Sequence, residues 1–207
     1  MKLITISGVD GSGKSTQIKL LQNHFEALGQ KVFYFHAIEF GVAQKITDFK
    51  RKYCLLCKLL GKCQVKSAPK SVTKANWLQI QLRKIFLCID IRRFNSLCEK
   101  LEADGVDYIL SDRYFFDSII NLEFLMKKST ALKAEKHIMQ PDLAIYMEIT
   151  AQEIMQRDRK PDQGVKYLEK KLALFAEKKA PWKMISIDAS GDKEIVFERI
   201  ISLDKIN

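Results

Sequence analysis

Gly8-Val-Asp-Gly-Ser-Gly13-Lys14-Ser15 fills every fixed position of the pattern G-x-x-x-x-G-K-[ST]. Glycines at those points let backbone N–H groups curl around phosphates without side-chain clash. A helix starting just after the loop adds partial positive charge at the same spot. Lys14 is then expected to reach the β- and γ-phosphates of ATP, and Ser15 to ligate Mg²⁺. The expected ATP-binding set is Gly8, Asp10, Gly11, Ser12, Gly13, Lys14, Ser15 and Thr16.

Other residues extend this chemistry. Asp112 ends an apolar run, Tyr108-Ile-Leu, where an acidic side chain can hold Mg²⁺ directly or through water. It can equally cap the helix that follows. Arg113 comes next and suits bidentate contact with a phosphate. A salt bridge to Asp117 is its plainer use. Arg157-Asp-Arg159-Lys160 forms a basic, turn-rich stretch, of the kind that closes over a transferring phosphoryl group or simply faces solvent. Arg92-Arg93 lies in a long helical stretch. Consecutive helical residues face about 100° apart, so only one of the two can point at a phosphate. Cys54, Cys57 and Cys63 could be three zinc ligands or core residues of a Leu-rich segment.

The elements that must position these residues follow from periodicity. Lys2 to Ser7 reads as a buried strand, and Ile18, Leu21, Phe25 and Leu28 mark one face of a helix from Lys14 to Leu28, capped by Gly29. Lys31 to His36 is a second strand, which completes a right-handed crossover. Helices are expected over 41–60, 72–103, 114–127, 150–157, 165–179 and 193–203. Strands are expected over 107–112, 142–148 and 182–188. The alternation predicts an α/β, three-layer arrangement: a five-stranded, mostly parallel sheet flanked by helices.

With 207 residues, 47% of them hydrophobic, and no linker, the chain reads as one domain, residues 1–207. Lys and Arg number 35 against 25 Asp and Glu, a formal net charge of +10, which favours anionic partners. Met1 to Ser7 reads as a strand rather than a cleavable leader, and no run of about 20 apolar residues occurs, so no membrane association is expected. Five cysteines, an odd number, fit a reducing, cytoplasmic setting.

Together these motifs resemble the thymidylate kinase family. Residues 8 to 17 resemble its P-loop, including Asp10; Ser111-Asp-Arg-Tyr114 resembles its Asp-Arg-Tyr motif; Pro141 to Met147 resembles its fourth strand; and Arg157 to Asp162 resembles its lid. The match in motif order and length spans almost the whole chain. The resemblance implies a P-loop NTPase fold, ATP-dependent transfer to a nucleoside monophosphate such as dTMP, a homodimer, a lid over about 157–164 and a helical acceptor-binding region over about 41–103. It implies that Asp10 approaches the acceptor's sugar and that Arg113 and Arg92 approach its phosphate. It also implies that Arg157 and Arg159 of the lid supply the catalytic arginine, because the P-loop position that does so elsewhere in the family is Gly11.

The chain also departs from the family. An Arg-Glu-Pro-Gly-Gly segment is expected after the second strand, and Ile38-Glu39-Phe40-Gly41 stands there, keeping only Glu39 and one glycine. The aromatic that stacks on thymine, one turn before Arg92, is replaced by Cys88, and a Tyr-Gln pair by Asn121-Leu122. Alternative readings are a P-loop kinase for another deoxynucleotide, a nucleoside or a nucleic-acid end, and a non-catalytic nucleotide-binding relative. Free nucleotide, rather than nucleic acid, is the expected partner.

Overall fold

The computed structural model describes residues 1–42, 75–128, 132–157 and 160–203. Five strands form one sheet: β1 (Lys2–Ser7), β2 (Val32–Phe35), β3 (Tyr108–Asp112), β4 (Leu143–Glu148) and β5 (Ile185–Asp188). Their order is β2-β3-β1-β4-β5. The pairs run parallel throughout, so the sheet is more uniform than the mostly parallel one expected from sequence.

Burial explains the order. β1 is almost wholly buried along its length, as are β3 and β4, and their near-continuous apolar runs suit strands covered on both faces. The edge strands are only half covered, with Tyr34 on β2 and Ser186 on β5 exposed. Seven helices fall within the described residues: α1 (Lys14–Ala27), the single turn α2 (Ala37–Phe40), α3 (Trp77–Ala103), α4 (Phe115–Met126), α5 (Ala151–Gln156), α6 (Val165–Lys178) and α7 (Lys193–Ile201). They flank the sheet in two groups. α1 packs on α7, while α4 packs on both α3 and α6.

Two boundaries differ from expectation for local reasons. Trp182, expected to open β5, instead lies in a turn held by the Lys183 N–H on the Ala180 carbonyl. Its ring stacks on Phe116 at 4.6 Å, so its aromatic character serves the core and not a strand. The long helix begins at Trp77, with the Asn76 N–H held by the Gln79 side chain; the expected start, residue 72, lies outside the described residues. Of the expected helix over 41–60, only its first two residues are described; Cys54, Cys57 and Cys63 lie outside the described residues too.

A parallel sheet puts every strand's carboxyl end on one edge, where open α/β folds bind their ligands. Ser7, Asp112 and Glu148 end their strands there, so the loops that follow β1, β3 and β4 converge. The buried ring cluster of Phe35, Phe94, Tyr114 and Phe115 fixes the start of α4 against α3 and β2.

Candidate active site

The loop between β1 and α1 needs its glycines. Gly11 and Gly13 take φ of 85° and 97°, a left-handed region that other residues enter only with strain. A Cβ on Gly8 would stand 3.1 Å from the Ser12 hydroxyl and 3.3 Å from the Met147 carbonyl. Gly13 caps α1, so the helix's free N–H groups open onto the loop. Lys14 is buried, and its ammonium donates to the Val9 carbonyl at 2.6 Å. Burial pulls that ammonium down to about 8, helped by Arg113 and opposed by Asp117, Asp10 and Asp112.

Over this loop lies a cavity of about 340 Å³ lined by Gly11, Lys14, Ser15, Thr16, Arg113 and Arg157. Three cations from three parts of the chain meet there. Ser15 and Thr16 are exposed and Ser12 is buried, its hydroxyl 3.4 Å from the Lys14 ammonium. Such a space can take a polyphosphate, with charge from side chains and N–H groups from the backbone.

Arg113 has φ of 66°, a strained value for a side-chain-bearing residue and a mark of a constrained site. Its guanidinium pairs with Asp10, not with Asp117. Asp117 instead accepts the backbone N–H groups of Gly8 at 3.3 Å and Tyr114 at 3.1 Å, tying α4 to the phosphate loop. The second Asp10 oxygen accepts from the Tyr167 hydroxyl at 2.9 Å and from the Lys171 ammonium at 3.5 Å. Burial alone would raise the Asp10 carboxyl, but Lys171 and Arg113 hold it well below the usual carboxylate range. Tyr167 and Lys171 escaped the sequence reading. Their only signal there is an i, i+4 spacing on the helix after the lid.

Asp112 is 1% exposed. One of its oxygens accepts from the Tyr34 hydroxyl at 3.4 Å, while the other is buried without a partner among the described residues. A buried, unpartnered carboxylate oxygen calls for a cation or a water. Asp112 and the exposed Ser15 hydroxyl therefore offer oxygen donors of the kind Mg²⁺ prefers.

Arg157 ends α5 and spans two loops. Its guanidinium donates to the Gly11 and Ala189 carbonyls, each at 2.7 Å. It also lines a second cavity, of about 210 Å³, with Ser12, Thr16, Gln17, Met147 and Gly191. This space shares Gly13, Thr16 and Arg157 with the phosphate-loop cavity, so the two adjoin. Arg159 lies outside the described residues.

A third cavity, of about 250 Å³, opens between α2, α3 and α4, with Arg83, Phe86, Asp90, Phe115, Ser118 and Asn121 among its walls. It corrects the sequence reading of α3. Cys88 is exposed, and the aromatic that α3 brings to the cavity is Phe86, two residues earlier. Arg92 is exposed and outside this wall, while Arg93 pairs with Asp90 at 3.0 Å and sits over the Phe40 ring. Asp90 also accepts the Val42 N–H, at 3.1 Å. Glu39 is exposed, and its neighbours Ile38 and Gly41 line the cavity in its place. Asn121, expected to mark a lost aromatic, does face this cavity, and its side-chain oxygen is buried without a partner among the described residues. Arg83, Phe86 and Asp90 recur at helical spacing, a periodicity that alone could have placed them on one face.

No protein-family model matches the chain. Among curated proteins, the "Probable thymidylate kinase 1" of Saccharolobus solfataricus is 23% identical over 211 residues, covering 100% of this chain and 98% of its own. The chain is similar to thymidylate kinases. The "Thymidylate kinase" of Rhodopirellula baltica is 24% identical over 98% of this chain and 80% of its own. The "Probable thymidylate kinase" of Thermococcus kodakarensis is 23% identical over 97% and 95%. The α/β fold with its five-stranded parallel sheet accords with the P-loop kinase fold of these thymidylate kinases. No helix among the described residues is long and apolar enough to cross a membrane.

Proposed function

We propose that this chain is a nucleoside monophosphate kinase that transfers the γ-phosphoryl group of ATP to dTMP, releasing ADP and dTDP. The observation that carries the reading is the cradle of Lys14, Arg113 and Arg157 with one cavity beyond Arg157 and another beside α4. A nucleotide in each of these cavities would meet the other phosphate to phosphate over the cradle. Similarity to thymidylate kinases over nearly the full chain supports the same reading.

In this mechanism ATP lies on the loop from Gly8 to Thr16, and Lys14 leaves the Val9 carbonyl for the β- and γ-phosphates. An oxygen of the acceptor's phosphate attacks the γ-phosphorus, the bond to the β-γ bridging oxygen breaks, and that oxygen leaves on ADP. Lys14 and Arg157, with Arg159 from the lid, meet the negative charge that spreads over the transferring group. Ser15 and Asp112 would hold Mg²⁺, which when bound neutralises phosphate charge. Asp10 and Arg113 face the acceptor. Little covalent work falls to the protein, and most of the rate comes from positioning and charge.

The chain acts as one domain, with its lid over about 157–164 and its acceptor region over about 41–103. A homodimer is supported by Leu78, Leu82, Ile85 and Ile89, exposed apolar residues in a stripe along α3. A second reading keeps the kinase and changes the acceptor. Asp90 and Asn121 favour it, since both bring hydrogen-bonding groups to the wall of the third cavity. ADP release with ATP-Mg²⁺ against dTMP, dUMP, dCMP, dAMP, dGMP and AMP tests both. Turnover with dTMP alone supports the first reading and turnover with another monophosphate the second. No turnover with any of them, with ATP still bound, would overturn both.

A further inference from the structure

Two buried lysines on α6 are solvated by the protein in opposite ways. Lys178 is one cation set between two carboxylates, Glu123 at 3.0 Å and Glu135 at 3.2 Å. Such an arrangement is self-sufficient and ties α6 to α4 and to the 3₁₀ turn Lys133–His137. Lys171 is the reverse. It is 4% exposed, yet its carboxylate, Asp10, already has Arg113 as its closer partner. Its own contact with Asp10 is long, at 3.5 Å, its ammonium lies 4.6 Å from the centre of the Tyr167 ring, and Asp117 attracts it from farther off.

Burying an ammonium is costly, and a long contact to a carboxylate shared with an arginine offsets that poorly. A leucine or methionine would serve the scaffold at less cost. Asp10 is thus shared by two cations where the P-loop meets α6, while Asp117, which also attracts both, spends its oxygens on the Gly8 and Tyr114 N–H groups. Arg113 lines the phosphate-loop cavity and holds the carboxylate that Lys171 also contacts. A phosphate monoester, with two negative charges and three acceptor oxygens, can bond both cations at once, which the single carboxylate of Asp10 does only with one long contact.

From this we infer that Lys171 is a second binding residue for the acceptor's phosphate, shared with Arg113, and that Asp10 holds both cations in place until the acceptor arrives. The charge expected from Arg92 on α3, which is exposed, would then come from α6 on the other side. This inference rests on the monophosphate-kinase reading.

The test is calorimetric titration of wild type, Lys171→Met, Lys171→Gln and Lys171→Arg with dTMP, thymidine and ATP. If the acceptor panel favours another monophosphate, that one and its nucleoside take the place of the thymidine pair. The neutral variants are expected to lose about tenfold or more in monophosphate affinity. Thymidine and ATP should bind within about twofold of wild type, and Lys171→Arg should restore most of the monophosphate affinity. Wild type that turns over a monophosphate, with neutral variants that bind it unchanged, overturns the inference and leaves the kinase standing. Equal loss of all three ligands in both neutral variants assigns Lys171 to the scaffold and overturns it too. Wild type that binds no monophosphate removes the inference and the kinase reading together.

Discussion

The phosphate loop and the cavity beside α4 differ in how their residues are gathered. Gly8 to Ser15 are eight consecutive residues whose roles are fixed by backbone geometry, since the loop must pass from β1 into α1 with positive φ at Gly11 and Gly13. The third cavity is assembled from α2, α3 and α4, and its polar groups are side chains projecting from helices. A backbone-built site tolerates little change, because its ligand contacts are N–H groups that every substitution must leave in place. A side-chain-built site can exchange its readers while the helices stay put. That is the pattern here: the loop keeps every position of its glycine-rich motif, while the cavity beside α4 is read by side chains such as Phe86, Asp90 and Asn121.

Substitutions should divide along the same line. Lys14→Ala removes the one lysine that lines the phosphate-loop cavity among the described residues and is expected to cut kcat by about 10³-fold, with the melting temperature nearly unchanged. Turnover near the wild-type level would detach the loop from the chemistry. Arg157→Ala removes the guanidinium shared by two cavities, so kcat/KM for ATP should fall about 10²-fold in steady-state assays, with acceptor affinity held. A loss confined to the acceptor's KM would place Arg157 on the wrong side of the comparison. Asn121→Leu should do the opposite, raising the acceptor's KM about tenfold while leaving that of ATP unchanged.

The smallest effect at neutral pH concerns titration. Lys14 is held down to about 8 by burial, so in the free enzyme its charge is lost as pH rises through that value. Phosphate binding needs the charged form. The profile of kcat/KM for ATP should therefore fall about tenfold per pH unit above 8, whereas kcat at saturating ATP stays level to higher pH because bound phosphates raise the ammonium again. A fall in kcat/KM that begins only near the ordinary lysine value would show that Lys14 is not buried in solution as described.

Much of the fold was legible because its signals are local. Apolar runs at β1, β3 and β4 could only be strands covered on both faces, and the glycine-rich loop between a strand and a helix declared its own geometry. What sequence left hidden depends on which face of a helix turns inward. Counting one turn back from Arg92 led to Cys88, but α3 buries Leu87, Asp90, Ile91 and Phe94, and that face brings Phe86 to the cavity and leaves Arg92 outside. Asp10 shows the same limit. Its place in the loop was plain, but its partners Tyr167 and Lys171 come from more than 150 residues away, and nothing local announces them. Trp182 was drawn into a strand by its type, when tertiary stacking on Phe116 decided its place.

The central claim is that two nucleotides meet across one phosphate cradle. Adenosine joined to deoxythymidine through five phosphates would span both cavities at once, and its affinity can be compared with those of ATP and dTMP in the same titration. If the cavities flank the cradle as described, the linked compound should bind about 10²-fold tighter than ATP alone, and saturating dTMP should displace it. Affinity no better than that of ATP, with dTMP unable to compete, would contradict the account.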